Sequence, residues 1–303
     1  MKKLVLILSA MMLAIGMQAQ VDKSAGKTGI SNQDMQARVA ENVNKKIRDA
    51  RTEDTQKAID ILKETQEVIG LIAQKKKDDA EKKLAEVIGK LEVLLAQKPE
   101  LAFIPVNATT EVHDVVMDVQ TVDKIMKQVR EAIDKGYYQA AKQVLNDLSS
   151  EIIVKTAYLP MATYPDAMKL AARYLHEDKN QEAVGVLVQA LSTLVIREEV
   201  LPLPVLRAEE YIKEALVVIN NDKDFKDKQK LLGALVDAAD YQLTLAEKMG
   251  YGKRDKEYKE LHDLIKKLKG QIEKGREKRS RKSLNKLSEK LKNFKERLFF
   301  NKK

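Results

Sequence analysis

The sequence predicts an all-α fold: stacked antiparallel helix hairpins, as a bundle or a short α-solenoid, ending in a C-terminal basic helical hairpin. Three observations predict it. The chain is rich in Ala, Leu, Lys, Glu and Gln, the strong helix formers, with only 12 Gly and 6 Pro in 303 residues. Apolar residues recur at steps of three and four, which puts them on one face of a helix and demands a partner for that face. The stripes also come in pairs that repeat along the chain.

Residues 1–19 read as a signal peptide. Lys2 and Lys3 precede an apolar run from Leu4 to Gly16, and Met17-Gln18-Ala19 offers a small residue before a cut at Gln20. The run is too short to span a bilayer, and no later stretch approaches about 20 consecutive apolar residues. The pattern therefore predicts an exported, periplasmic protein. There is no cysteine, so lipid anchoring through a cysteine, thiol nucleophiles and thiolate metal sites are excluded. A chain this long buries enough core to fold without disulfides.

Residues 20–52 are polar and read as a flexible lead-in, with a weak helical pattern at Met35, Val39 and Val43. The main helical domain spans 53–252. Ala58, Ile61, Leu62, Thr65, Ile69 and Ile72 form one stripe; Ala80, Leu84, Ile88, Leu91 and Leu95 form its partner, stopped by Pro99. Val122, Ile125, Val129, Ala132 and Ile133 pair with Ala141, Leu145, Leu148 and Ile152 across Gly136. Met168, Ala171, Ala172 and Leu175 precede Ala183, Leu187, Leu191 and Leu194, and Tyr211 to Ile219 precede Leu232 to Leu245.

The second helices of the first three pairs open with the same Ala-x-x-x-Leu step: Ala80/Leu84, Ala141/Leu145 and Ala183/Leu187. Each then runs into an apolar-Pro-apolar segment, Ile104-Pro105-Val106, Leu159-Pro160-Met161 or Leu201-Pro202-Leu203. Read as loops, these three would emerge at one pole of the hairpins. Val112, Val115, Val116 and Val119 suit a helix or a short strand, so residues 107–119 stay open.

Residues 253–303 form a basic helical appendage, with 20 Lys and Arg against 8 Asp and Glu. The rest of the chain is slightly acidic, given a formal total of +9. Leu284, Leu287, Leu291, Phe294 and Leu298 follow a heptad seam.

The stretch Leu159-Pro160-Met161-Ala162-Thr163-Tyr164-Pro165-Asp166-Ala167-Met168-Lys169-Leu170-Ala171-Ala172 resembles the YfdX family of exported bacterial proteins. So do Glu182-Ala183, Leu191-Ser192-Thr193-Leu194-Val195 and Leu201-Pro202-Leu203-Pro204-Val205-Leu206-Arg207-Ala208-Glu209. The resemblance covers roughly residues 55–250. It implies a helical envelope protein with a role in stress or small-molecule tolerance, and it supplies no catalytic residues.

No Gly-x-Ser-x-Gly, P-loop or dinucleotide fingerprint is present. His113, His176 and His262 stand apart, without the spacing of a metal set. The expectation is a non-enzymatic binding or scaffold protein without a cofactor, with an unrecognised hydrolase as the remote alternative. Its partner, a protein or a small molecule, would meet the Pro-segment pole at Thr163, Tyr164, Arg207 and Glu209, Tyr and Arg being favoured anchors. The bland reading gives Pro165 a place at the start of a helix and pairs Arg207 with Glu209. In the tail, Arg276, Lys278, Arg279, Arg281 and Lys282 suit an anionic membrane surface. The Leu284–Leu298 seam suits packing or a homo-oligomer. Nucleic acid is not expected, since no aromatic residues interleave the basic run.

Overall fold

The structure, a computed structural model, describes residues 25–252 and 256–300. The expected signal peptide lies outside them. After a single helical turn at Ala25–Thr28 come α1 (Asn32–Asp49), α2 (Glu53–Ala73), α3 (Lys77–Gln97), β1 (Phe103–His113), α4 (Val119–Asp134) and α5 (Tyr138–Asp147). Then follow β2 (Glu151–Pro160), α6 (Tyr164–His176), α7 (Asn180–Ser192), β3 (Val195–Pro202), α8 (Leu203–Asn220), α9 (Phe225–Met249), α10 (Lys256–Glu273) and α11 (Glu277–Phe300).

The chain is thus mostly helical, and the expectation of an all-α fold needs one correction: a three-stranded sheet in the order β1-β2-β3. The three Pro segments lie on its strands and are not loops. Lys155 of β2 reaches Glu111 at 2.7 Å, while the Met161 amide donates to the Ala102 carbonyl at 3.0 Å. These two contacts make β1 and β2 antiparallel. The physical reason for the strands is a run of β-branched residues, such as Ile152-Ile153-Val154 and Val195-Ile196. Proline is tolerated because Pro105 sits on an edge strand and Pro160 and Pro202 close theirs. Ile152 and Leu194, read as the last positions of helical stripes, lie beyond the helix ends at Asp147 and Ser192. Residues 107–119 resolve into strand through His113 and helix from Val119. The lead-in is helical from Asn32, with Met35, Val39 and Val43 buried on one face.

The chain divides into two compact units; three of the four divisions fall inside the strands, and the other, after Val43, falls inside α1. One unit comprises Asn44–Glu111 and Val154–Glu199. In it α3 packs on α6 and α2 on α7, around Ile61, Val68, Leu84, Leu91, Met168, Leu175 and Leu187. The other comprises the described residues up to Val43, Val112–Ile153 and those from Val200 onward. There α9 packs on α4, α8 and α10, and α8 packs on α11. The basic hairpin α10–α11 belongs to this unit and is no free appendage. Leu261, Ile265, Leu268, Leu284, Leu287, Leu291 and Phe294 are all buried, so the heptad seam is covered within the chain up to Phe294, and Leu298 is half-buried. Burying such faces is what stabilises amphipathic helices of this length.

Four hairpins share one turn. After α2, α4, α6 and α10 the chain passes through a residue of positive φ: Lys75 (62°), Gly136 (79°), Asp178 (61°) and Gly275 (65°). The following amide returns to a carbonyl five residues back, as Lys76 to Leu71, Tyr137 to Ala132, Lys179 to Tyr174 and Arg276 to Gln271, all at 2.8–3.0 Å. This closes the helix end in a Schellman pattern. Five residues beyond the positive φ stands a small, fully packed residue, Ala80, Ala141, Ala183 or Ser280. Four further on stands a leucine, Leu84, Leu145, Leu187 or Leu284.

Candidate functional site

One of those four leucines departs from its sisters. Leu84 and Leu187 are 0% exposed and Leu284 is 1%, whereas Leu145 is 38% exposed. Helix α5 has only 10 residues before the chain turns into β2. Leu148, just past the helix, takes the buried place (3%), and Leu145 is left facing a cleft of about 560 Å3. Ile153 and Met249 extend the apolar wall, and His113, Asp147, Glu151 and Tyr251 supply polar groups.

Tyr251 is placed by Gly250, whose φ of 88° ends α9. A left-handed residue is needed there, and glycine takes it without the Cβ penalty. The Tyr251 hydroxyl accepts the Ser150 amide at 2.8 Å and donates to Glu151 Oε2 at 3.3 Å. Burial, the largest cause, raises its ionisation well above the usual tyrosine range, and the Glu151 charge adds to this. The phenol therefore stays neutral and keeps its proton to donate. Behind it, Ser150 Oγ donates to Asp114 Oδ1 at 2.8 Å, and Arg207 pairs with Asp114 Oδ2 at 2.5 Å. The side chains of Arg207 and Asp114 are 12% and 14% exposed. A buried pair of this kind holds its loop firmly, because removing either partner strands a charge away from water. Arg207 thus supports the cleft wall from α8.

The other residues singled out from sequence fall differently. Thr163 is exposed and precedes α6 without a side-chain capping bond. Tyr164 is 1% exposed, in the core. Its hydroxyl donates to Thr65 Oγ1 at 3.0 Å, and burial pushes its pKa up to about 12. Thr163 and Tyr164 belong to one unit, Arg207 and Glu209 to the other. Glu209 pairs with Lys295 and, at 3.6 Å, with Lys213, and not with Arg207. Arg276, Lys278, Arg279, Arg281 and Lys282 are exposed, and among the described residues Arg281 alone of them has its side chain tied down, to Glu277 at 3.0 Å and the Ile219 carbonyl at 3.2 Å. His176 is exposed at the end of α6. His262 bonds Asp240 at 2.6 Å, and chiefly that bond raises its pKa. Among the described residues no group of three His, Cys, Asp or Glu is placed to hold a metal ion. Sequence reasoning missed Tyr251 and the cleft role of Leu145; the only signal was the Gly250 stop immediately before the tyrosine.

Helix hairpins alternating with single strands, with a cleft of mixed apolar and polar lining, define an α-helical repeat protein with a small sheet. Residues 61–200 match the YfdX protein family. The match begins within α2 and ends within β3, short of the roughly 55–250 expected. A solved crystal structure of YfdX from Salmonella Typhi is similar at 13% identity. The likeness covers 48% of this chain and 91% of that one, with a TM-score of 0.35. No curated protein matches the chain.

Proposed function

We propose that the chain is an exported, non-enzymatic binding protein of the cell envelope that captures a small amphiphile in the Leu145–Tyr251 cleft. The observation carrying this is the exposure of Leu145, an apolar side chain turned out to a cavity where three equivalent leucines are packed away. An unburied leucine in a concave, polar-rimmed site is favourable when a ligand covers it. Leu145, Ile153 and Met249 suit an apolar body, and Asp147 and Glu151 suit a cationic or hydrogen-bond-donating head. The leader pattern at residues 1–19 supports export.

The test is fluorescence polarisation of the cationic dye rhodamine 6G on the full chain. Leu145→Ser weakens capture at least about ten-fold, the worth of one buried aliphatic side chain. Because Leu145 is already 38% exposed, the melting temperature holds. Tyr138→Ser serves as the control, since Tyr138 is 65% exposed and lies outside the cleft lining; it leaves capture unchanged. No saturable capture by the unaltered chain, or equal loss in both variants, overturns the reading.

A further inference from the structure

The hairpins α2–α3 and α10–α11 superpose in sequence register at an offset of 200 residues. Ile61, Val68, Ile72, Leu84, Leu91 and Leu94 have buried counterparts in Leu261, Leu268, Ile272, Leu284, Leu291 and Phe294. The inner faces do the same job; the outer faces do not. Residues 66–86 carry five Lys and five Glu or Asp, whereas residues 266–286 carry ten Lys or Arg and two Glu. In the first hairpin, Lys83 lies within 3.4–3.8 Å of Glu64, Glu67 and Glu86, and Lys77 meets Asp178 at 2.5 Å. In the second, Lys274, Arg276, Lys278, Arg279, Lys282 and Lys286 are exposed and have no ion-pair partner among the described residues.

Neutralising the first hairpin while leaving the second strongly positive is not needed for folding, since the apolar face is already covered in both. Concentrated like charge costs self-repulsion, which an opposing surface relieves. We propose that the tip of the α10–α11 hairpin is a docking face for an anionic lipid bilayer. The face holds point charges and no apolar ridge. Tyr258 and Phe294, 0% and 2% exposed, stack edge to face at 4.9 Å inside the unit. Contact is therefore peripheral and electrostatic, in keeping with the absence, among the described residues, of any helix long and apolar enough to cross a membrane. Those same buried rings leave no stacking platform for nucleic acid bases. The docking face does not depend on the cleft being occupied.

The experiment is co-sedimentation of the full chain with vesicles rich in phosphatidylglycerol, and with pure phosphatidylcholine vesicles. Binding is expected to the anionic vesicles alone, and to fall steeply between about 0.1 M and about 0.5 M salt as the screening length shortens. The triple change Lys278→Gln, Arg279→Gln, Lys282→Gln lowers partitioning on the order of a hundred-fold, about five-fold per charge. The matched change Lys63→Gln, Lys76→Gln, Lys82→Gln in α2–α3 leaves it unaltered. Equal binding to neutral vesicles, equal loss in both triple variants, or capture by duplex DNA with none by anionic vesicles overturns the proposal.

Discussion

The α2–α3 and α10–α11 hairpins show how one core pattern serves two surfaces. Both turn through a residue near φ 62–65° and close with the same backbone bond five residues back. Both bury a small residue and then a leucine on the same register. In one the outer charges cancel locally, and its partners are α6 and α7. In the other the charges add, and its partners are α8 and α9. The difference teaches that the hairpin is specified by its inner stripe and its turn, leaving the outer face open to change.

Comparing the shared leucine breaks or sharpens this most strongly. Leu84→Ala and Leu284→Ala are each expected to cost about 2–5 kcal/mol, a buried side chain plus the cavity it leaves. Leu145→Ala, at the same register but 38% exposed, is expected to cost less than about 1 kcal/mol. Urea unfolding of the three variants checks this, and equal losses would break the register assignment.

The turn residue comes next. Lys75 holds a left-handed conformation at φ 62° where Gly275 stands in the other hairpin at 65°. Lys75→Gly is expected to stabilise by about 1 kcal/mol and Gly275→Ala to destabilise by about 1–2 kcal/mol. Nothing lies within 4 Å of the Cβ that Gly275→Ala adds, so the cost is backbone strain alone. Denaturant midpoints measure both.

The smallest expected effect concerns the residue packed after the turn. Ser280 is 0% exposed and its hydroxyl has no hydrogen-bond partner among the described residues, where Ala80 stands in the sister hairpin. Ser280→Ala is expected to raise stability by about 1 kcal/mol, since it removes a buried hydroxyl that lost its water. The reverse change, Ala80→Ser, is expected to lower it by a similar amount. A thermal shift in the same direction for both would sink the comparison.

Much of this was readable from residue spacing. The stripe Ala80, Leu84, Leu91 is buried as its period implied, and Gly136 and Gly250 end helices with positive φ. The Ala-x-x-x-Leu step identified three equivalent hairpins, although not that Leu145 would face outward. The proline segments misled, because a short apolar run with a proline reads alike as a loop or as the margin of a strand. Tyr164 looked like an anchor and is core, because its hydrogen-bond partner is Thr65, 99 residues away.

By itself, then, the sequence determined the hairpins, their turns and the inner stripes, since helical period, propensity and the left-handed turn are local properties of the chain. Only the tertiary structure decided that three proline-bearing runs pair as strands. It also decided that Leu145 opens onto a cleft, and that Asp114, Ser150, Arg207 and Tyr251 join in one network. Those outcomes depend on which distant segment supplies the missing hydrogen-bond or packing partner, and a local pattern specifies the need for a partner without naming it.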